Sequence, residues 1–391
     1  MTLPGMTDTR WTVGRGLELP IVDRLNTRIA ELRASGRNII SLAQAVPGFA
    51  SPAAVAKAAA AALGRPDVDR YTADAGIPVL REAIAAWLGN VGGAGVSPGN
   101  LMVTSGANQA FMLAAMTILQ PVDTAILAAP FFFNHEMALQ AASVTPVEVE
   151  CTWDDEGAER LLGHAVGGVK AVVVTSPSNP TGAVFPEATL RRLAEALRDR
   201  SVWLIVDETY LTFVYDQPPG SATRLMDLGN VVVIGSFSKT FAMMGWRIGY
   251  LAAPERVIEE AIKAQDAMII CPSAIAQYAL LGVLKDEPGY AAGHLADMRA
   301  RRDYAASRLV AIPGIDWTPT PGGFFAFVKV PGCSDSVAFS LRLLDESGVA
   351  TVPGRAFGRA GEGHVRLSYG SVTMGELGEA FDRMSLFLTS A

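Results

Sequence analysis

Residues 231–250 read VVVIGSFSKTFAMMGWRIGY. The run Val231–Ile234 is apolar and β-branched, without the alternation of a half-exposed strand, so it reads as a strand buried on both faces. It breaks off at Gly235 and Ser236. One lysine, Lys239, then stands at its mouth, with Ser236 and Ser238 before it and Gly245, Arg247 and Gly249 after it. Three further segments share the pattern: TAILAA (124–129), VKAVVVT (169–175) and VWLIVD (202–207). Helical stretches such as NQAFMLAAMTIL (108–119) and EATLRRLAEALRD (187–199) lie between them. Apolar strands alternating with helices predict an α/β chain with a parallel sheet covered on both faces.

The flanks read differently. PIVDRLNTRIAELRAS (20–35) spaces Ile21, Leu25, Ile29 and Leu32 as a helix, and NIISL (38–42) reads as a short strand. After about residue 290, HLADMRARRDYAASRLVAI (294–312) predicts a long helix. GGFFAFVKV (322–330), VATVPG (349–354) and GHVRLSY (363–369) predict strands around the helix SVAFSLRLLDES (336–347). The expected division is an N-terminal segment 1–48, a large domain 49–288 and a smaller C-terminal α/β domain 289–391, on which the N-terminal segment packs.

The 391 residues are half hydrophobic, with a net charge of -7, enough for a large core and against nucleic acid or an anionic membrane as partner. The first twenty residues lack the apolar core of a signal peptide. No apolar stretch reaches membrane-spanning length without a charge or proline. Cys151, Cys271 and Cys333 are odd in number and far apart, and the four histidines show no metal spacing; the expectation is a cytoplasmic protein without disulfides or metal.

Ligands in open parallel sheets sit beyond the carboxyl ends of the strands. Here those ends carry Asp207 and Tyr210, Lys239, and the turn SPSNPTG with Ser176, Asn179 and Gly182. The turn TSGA before a helix offers Gly106, Ala107 and Asn108 as an anion site. A desolvated lysine loses basicity and condenses with carbonyls. Arg247 can add a two-point clamp on a phosphate. A buried Asp207 asks for a cation, and a protonated ring nitrogen is one. Amine, phosphate cradle and isolated acid together describe pyridoxal 5'-phosphate.

On YTADAGIPVLREA, SPSNPTGAVF, DETY, SFSKTFAMMGWRIGY and VPGRAFG, the sequence resembles the fold-type-I, class I/II aminotransferases over nearly its whole length. The resemblance implies a mainly parallel seven-stranded sheet, a smaller second domain, and a homodimer with active sites at the interface. It makes Lys239 the lysine that carries the cofactor and shuttles the substrate's α-proton, and Asp207 the partner of the pyridine N–H. Tyr210 and Asn179 bond the ring oxygen. Gly106, Ala107, Asn108, Ser236, Ser238 and Arg247 surround the phosphate, and Tyr71 reaches the phosphate of the neighbouring subunit. Phe132 stacks on the ring, although Phe131 and Phe133 compete for that place. Arg366 clamps the substrate's α-carboxylate, with Ala45 and Asn179 beside it.

Some positions depart from the family. SLAQAVPGF has Ala43, Ala45 and Gly48 in a stretch that is usually glycine-containing, so the carboxylate pocket is altered at Ala45. Arg355 replaces a small hydroxyl residue and points at the phosphate or at solvent. Asn108 stands where aspartate-using members often carry lysine, and AQDAMIIC (264–271) offers no arginine. The expected substrate is therefore a neutral, aromatic or basic amino acid, with a keto acid as acceptor. Glu18, Asp74 and His135 are further polar groups for the pocket. The rival expectation is elimination, replacement, cyclisation or oxidation on the same cofactor; a binding or regulatory domain descended from such enzymes is the remoter one.

Overall fold

The computed structural model describes residue 17, residues 19–315 and residues 317–390; Glu18 lies outside them. Its first strand, β1 (Ile40–Ser41), follows the helix Ile21–Ala34, whose buried face is Leu25, Ile29 and Leu32. Seven strands then build the central sheet: β2 (Leu101–Thr104), β3 (Thr124–Ala129), β4 (Thr145–Glu150), β5 (Val169–Thr175), β6 (Trp203–Asp207), β7 (Val231–Ser236) and β8 (Gly249–Ala252). Their order is β2-β8-β7-β6-β5-β3-β4. All neighbours are parallel except β8, which runs antiparallel to both β7 and β2. The expected mainly parallel seven-stranded sheet is what the chain forms.

The unbroken apolar runs follow from burial on two sides. Val172, Val174, Leu204, Val206, Val231 and Val233 pack into one core, while Val173, Ile205, Val232 and Ile234 pack into another. Each side chain of that size removed from water contributes about 1.5–3 kcal/mol, so neither face tolerates a polar residue. Two strands escaped the sequence reading. β4 is an edge strand with alternating exposure and a proline at 146, which suits an edge because proline donates no ladder hydrogen bond. β8 lies inside the glycine-containing stretch after Arg247.

Four more strands follow: β9 (Phe325–Lys329), β10 (Val349–Ala350), β11 (Val352–Pro353) and β12 (His364–Ser368). A three-stranded antiparallel sheet has the order β11-β12-β9, and β1 pairs in parallel with β10. VATVPG, expected as one strand, is thus two. Its first half joins the N-terminal segment, and its second half joins β12. Thr351, buried between them, bonds Ser340 on the helix Ser336–Ser347 at 3.3 Å and marks the crossing. Among the described residues no helix is long and apolar enough to cross a membrane.

Candidate active site

At the carboxyl ends of β5, β6 and β7 a chamber of about 300 Å³ is lined by Ala45, Ala107, Asn108, Phe132, Asn179, Asp207, Tyr210, Ser236, Ser238, Lys239, Arg247 and Arg366, among others. β7 ends in Ser236, whose hydroxyl accepts the Ser238 N–H at 3.1 Å and caps the short helix Phe237–Thr240. This cap ends the strand and turns Lys239 into the chamber. No hydrogen bond or ion pair holds the Lys239 amine among the described residues. Burial, then the positive charges of Arg366 and Arg247, push it down to about 8.

Asp207 ends β6 and is 4% exposed. Burial pushes its carboxyl up, but bonds from His135 and Thr209 outweigh that and hold it below its ordinary value. The His135 Nε2 lies 3.0 Å from one carboxylate oxygen, and the Thr209 N–H donates to the other at 2.9 Å. His135 is itself fixed by stacking on Phe111, with ring centroids 4.3 Å apart, and by an edge contact with Phe132. Its role in orienting Asp207 was not legible as such, because the two lie 72 residues apart. The neighbouring Glu208 takes the other side of the strand end, where it accepts from the Ser221 hydroxyl at 2.7 Å and is pushed up to about 8 by burial. The motif DETY therefore splits: Asp207 and Tyr210 line the chamber, and Glu208 anchors the following turn.

A glycine turn, a helix start and Arg247 form one wall. Gly106 has φ +88, and a Cβ there would stand 2.6 Å from Arg247 Nη2, so only glycine lets the guanidinium close over the turn. The helix Ala107–Ile118 points its first N–H groups into the same space. Arg247, in left-handed backbone geometry with φ +52, is steadied by donating to Met244 O at 2.9 Å. The buried hydroxyl residues Ser236 and Ser238 complete the wall.

Arg366, on β12, enters from the other sheet. It donates to Asn179 Oδ1 at 2.9 Å and to the carbonyl oxygen of Ala43, and it lies over the rings of Phe325 and Phe357. Burial pushes it down to about 10, with Tyr210 opposing the fall. Its Nε is buried and has no partner among the described residues. Tyr210 is pushed up by burial.

The three phenylalanines separate. Phe131 is core, Phe132 lines the chamber, and Phe133 lines both the chamber and an adjoining cleft. Tyr71 is 78% exposed and is not in the chamber of its own chain. Asp74 does not line it either; its carbonyl oxygen accepts from Gln265. Arg355 does not line the chamber; it is exposed and lines the adjoining cleft. Val22, Gln44, Val46 and Met244, which carry no motif, also line the chamber.

A weakly basic amine, an arginine-closed turn at a helix start and a buried carboxylate thus meet around one chamber. The family Aminotransferase class I and II matches residues 37–384. The chain is 34% identical over 382 residues to an aspartate aminotransferase of Thermotoga maritima, covering 95% of this chain and 98% of that protein. It is 33% identical over 373 residues to aromatic-amino-acid aminotransferase 2 of Thermococcus litoralis, covering 92% and 94%. A solved aminotransferase from Mycobacterium tuberculosis superimposes with a TM-score of 0.91 at 31% identity, covering 98% of this chain and 100% of that one. The chain belongs to the class I and II aminotransferases. It is a transaminase, moving an amino group between an amino acid and a keto acid, in a family that depends on pyridoxal phosphate.

Proposed function

We propose that Lys239 carries pyridoxal 5'-phosphate and that the chamber transaminates neutral or aromatic amino acids. The observation that supports this most is the Lys239 amine at about 8, which lines the same cavity as Asp207, Arg247 and the helix start at Ala107. The fit rests on Gly106, where the missing Cβ leaves backbone N–H groups and Arg247 open to a phosphate. When bound, the cofactor supplies an aldehyde to accept the amino group and a ring that draws electrons from the substrate's α-carbon.

The chain's own residues do the rest. Asp207, kept anionic by His135 and Thr209, accepts the ring N–H. Gly106, Ala107, Asn108, Ser236, Ser238 and Arg247 hold the phosphate. Asn179 and Tyr210 bond the ring oxygen, and Phe132 covers a ring face. Arg366 takes the α-carboxylate beside Ala45. Lys239 Nζ, once free, moves the α-proton, since a base near neutrality is the efficient one. Tyr71 serves the phosphate site of a second subunit, which makes the working unit a homodimer. The division into residues 49–288 and a smaller unit from 1–48 and 289–391 is supported by the separate sheets.

Substrate choice follows from the lining. The space beside Lys239 is walled by Val22, Ala45, Val46, Phe132, Phe133 and Met244. Among the described residues its guanidinium groups are Arg247 and Arg366, assigned to the phosphate and the α-carboxylate, so a short acidic side chain finds no spare guanidinium among them. Among the described residues its one carboxylate is Asp207, committed to the ring, which favours neutral over basic side chains. Borohydride treatment of the pyridoxal-phosphate-loaded protein and peptide mapping should place the reduced adduct on Lys239; an adduct on another residue refutes the assignment. Steady-state rates across amino acids test the second half, and a kcat/KM for aspartate above all neutral candidates overturns it.

A further inference from the structure

Beside the chamber lies a second cleft of about 610 Å³, with Phe133 in both walls. Its sides are the segment from Leu19 to Arg24, the helix Phe133–Ala141 and the turn around Gly354–Phe357. Val22 lines the chamber, while Ile21 and Arg24 of the same helix line the cleft. The two spaces therefore share both a helix and a phenylalanine.

Charge in the cleft is unevenly satisfied. Glu148 accepts the N–H groups of Arg359 and Ala360 at 2.9 and 2.6 Å, and the Arg359 guanidinium lies 3.5 Å from it. Those two side chains are spent on each other. Arg24 and Arg355, both exposed, also line the cleft, one from the N-terminal helix and one from the turn Gly354–Phe357, and among the described residues neither guanidinium makes a hydrogen bond or an ion pair. Among the described residues the remaining acid, Glu136, is half-buried and has no hydrogen-bond partner; burial and then Glu148 push its carboxyl up, against the pull of Arg355. Two unmatched guanidinium groups against one acid leave a positive site with forked donors.

We propose that this cleft binds an organic carboxylate between Arg355 and Arg24. A guanidinium fork matches the two oxygens of a carboxylate. Glu136 and Glu148 in the walls repel the higher charge of a phosphate. The carboxylate has two sources. It is the far end of a substrate longer than glutamate, whose uncharged stem crosses the apolar chamber past Phe133 while Arg366 holds the α-carboxylate. Or it is a separate small acid. The first source rests on the transamination proposed above and adds a long dicarboxylic substrate to the neutral and aromatic ones; the second does not rest on it.

Calorimetry on the pyridoxal-phosphate-loaded protein separates them, with adipate, hexanoate and succinate as probes. For a bridging substrate, adipate binds about ten-fold or more tighter than hexanoate, the scale of one charge-assisted hydrogen-bonded pair. Arg355→Gln and Arg24→Gln each remove that advantage and leave hexanoate unchanged. For a separate acid, succinate binds when 3-phenylpropanoate saturates the chamber, and the same variants abolish that binding. If both variants bind adipate and succinate as the unaltered protein does, the proposal is overturned. Phenylalanine turnover, measured alongside, persists in both variants. Its absence from the unaltered protein would count against the proposed function and leave the binding result standing.

Discussion

Replacing Lys239 by methionine should make the cofactor-free protein more stable while abolishing turnover. The Lys239 amine falls from an ordinary 10.5 to about 8 because folding takes the ammonium out of water beside Arg366 and Arg247. A difference of about 2.5 in pKa at 1.36 kcal/mol each is about 3 kcal/mol. The sign is fixed by linkage. Below pH 8 the amine is charged in both folded and unfolded chains, and folding bears the full cost of burying it. As pH rises from 8 toward 10.5, the folded form sheds the proton while the unfolded form keeps it, and the cost fades. Methionine has a similar length and no charge, so Lys239→Met should gain up to about 3 kcal/mol at pH 7. That gain should shrink through pH 8 and nearly vanish by about pH 10.5, the ordinary lysine value. Denaturant titration of both cofactor-free proteins at several pH values measures it. A Lys239→Met protein less stable than its parent at pH 7, or a difference independent of pH, would refute the reasoning.

Three further outcomes are expected. Gly106→Ala drives a Cβ to 2.6 Å from Arg247 Nη2 in a left-handed backbone, so pyridoxal phosphate affinity, read from fluorescence quenching, should fall by about ten-fold or more, as strain and a displaced guanidinium each cost about 1 kcal/mol. His135→Leu removes the bond that holds the Asp207 carboxyl down, so the acidic limb of the kcat/KM profile should move to higher pH; an unmoved limb would show that His135 only packs. Arg366→Lys should lower kcat/KM for every amino acid alike by about 100-fold, because an ammonium cannot make the paired contact and leaves Asn179 and Ala43 underbonded.

The parts read most directly from the sequence were those where one physical cause acts locally. Val231–Ile234 and its three companion runs are apolar because both their faces are buried, and each ends where the polar rim of the sheet begins. Lys239, Asp207 and Asn179 stood out because they follow such runs immediately. What escaped depends on contacts between distant segments. His135 meets Asp207 across 72 residues and carries no local mark of doing so. Thr351, which separates β10 from β11, looks like any β-branched strand residue until the N-terminal strand is there to pair. Arg355 sits within a recognisable motif, yet its short 3-10 turn, Gly354–Phe357, places it in the second cleft. Edge strand β4 alternates in exposure and has a proline, the opposite of the pattern that reveals the central strands.

The reversed strand β8 has a consequence for how the site assembles in time. Because it runs antiparallel to β7, with Ser236 opposite Gly249, only residues 237–248 separate the two strands. A parallel partner would need a crossover and would deliver Arg247 to the opposite rim of the sheet. Short separation lowers the entropy lost on closing the loop, and contacts local in sequence form sooner than distant ones. Ser236, Ser238, Lys239 and Arg247 thus belong to a single hairpin-like unit that can close by itself. Asp207, Asn179 and Arg366 reach it only through long-range pairings, Arg366 last in the chain. Local contacts therefore favour closing the wall that holds Lys239 and Arg247 ahead of the long-range pairings that bring Asp207, Asn179 and Arg366 to it.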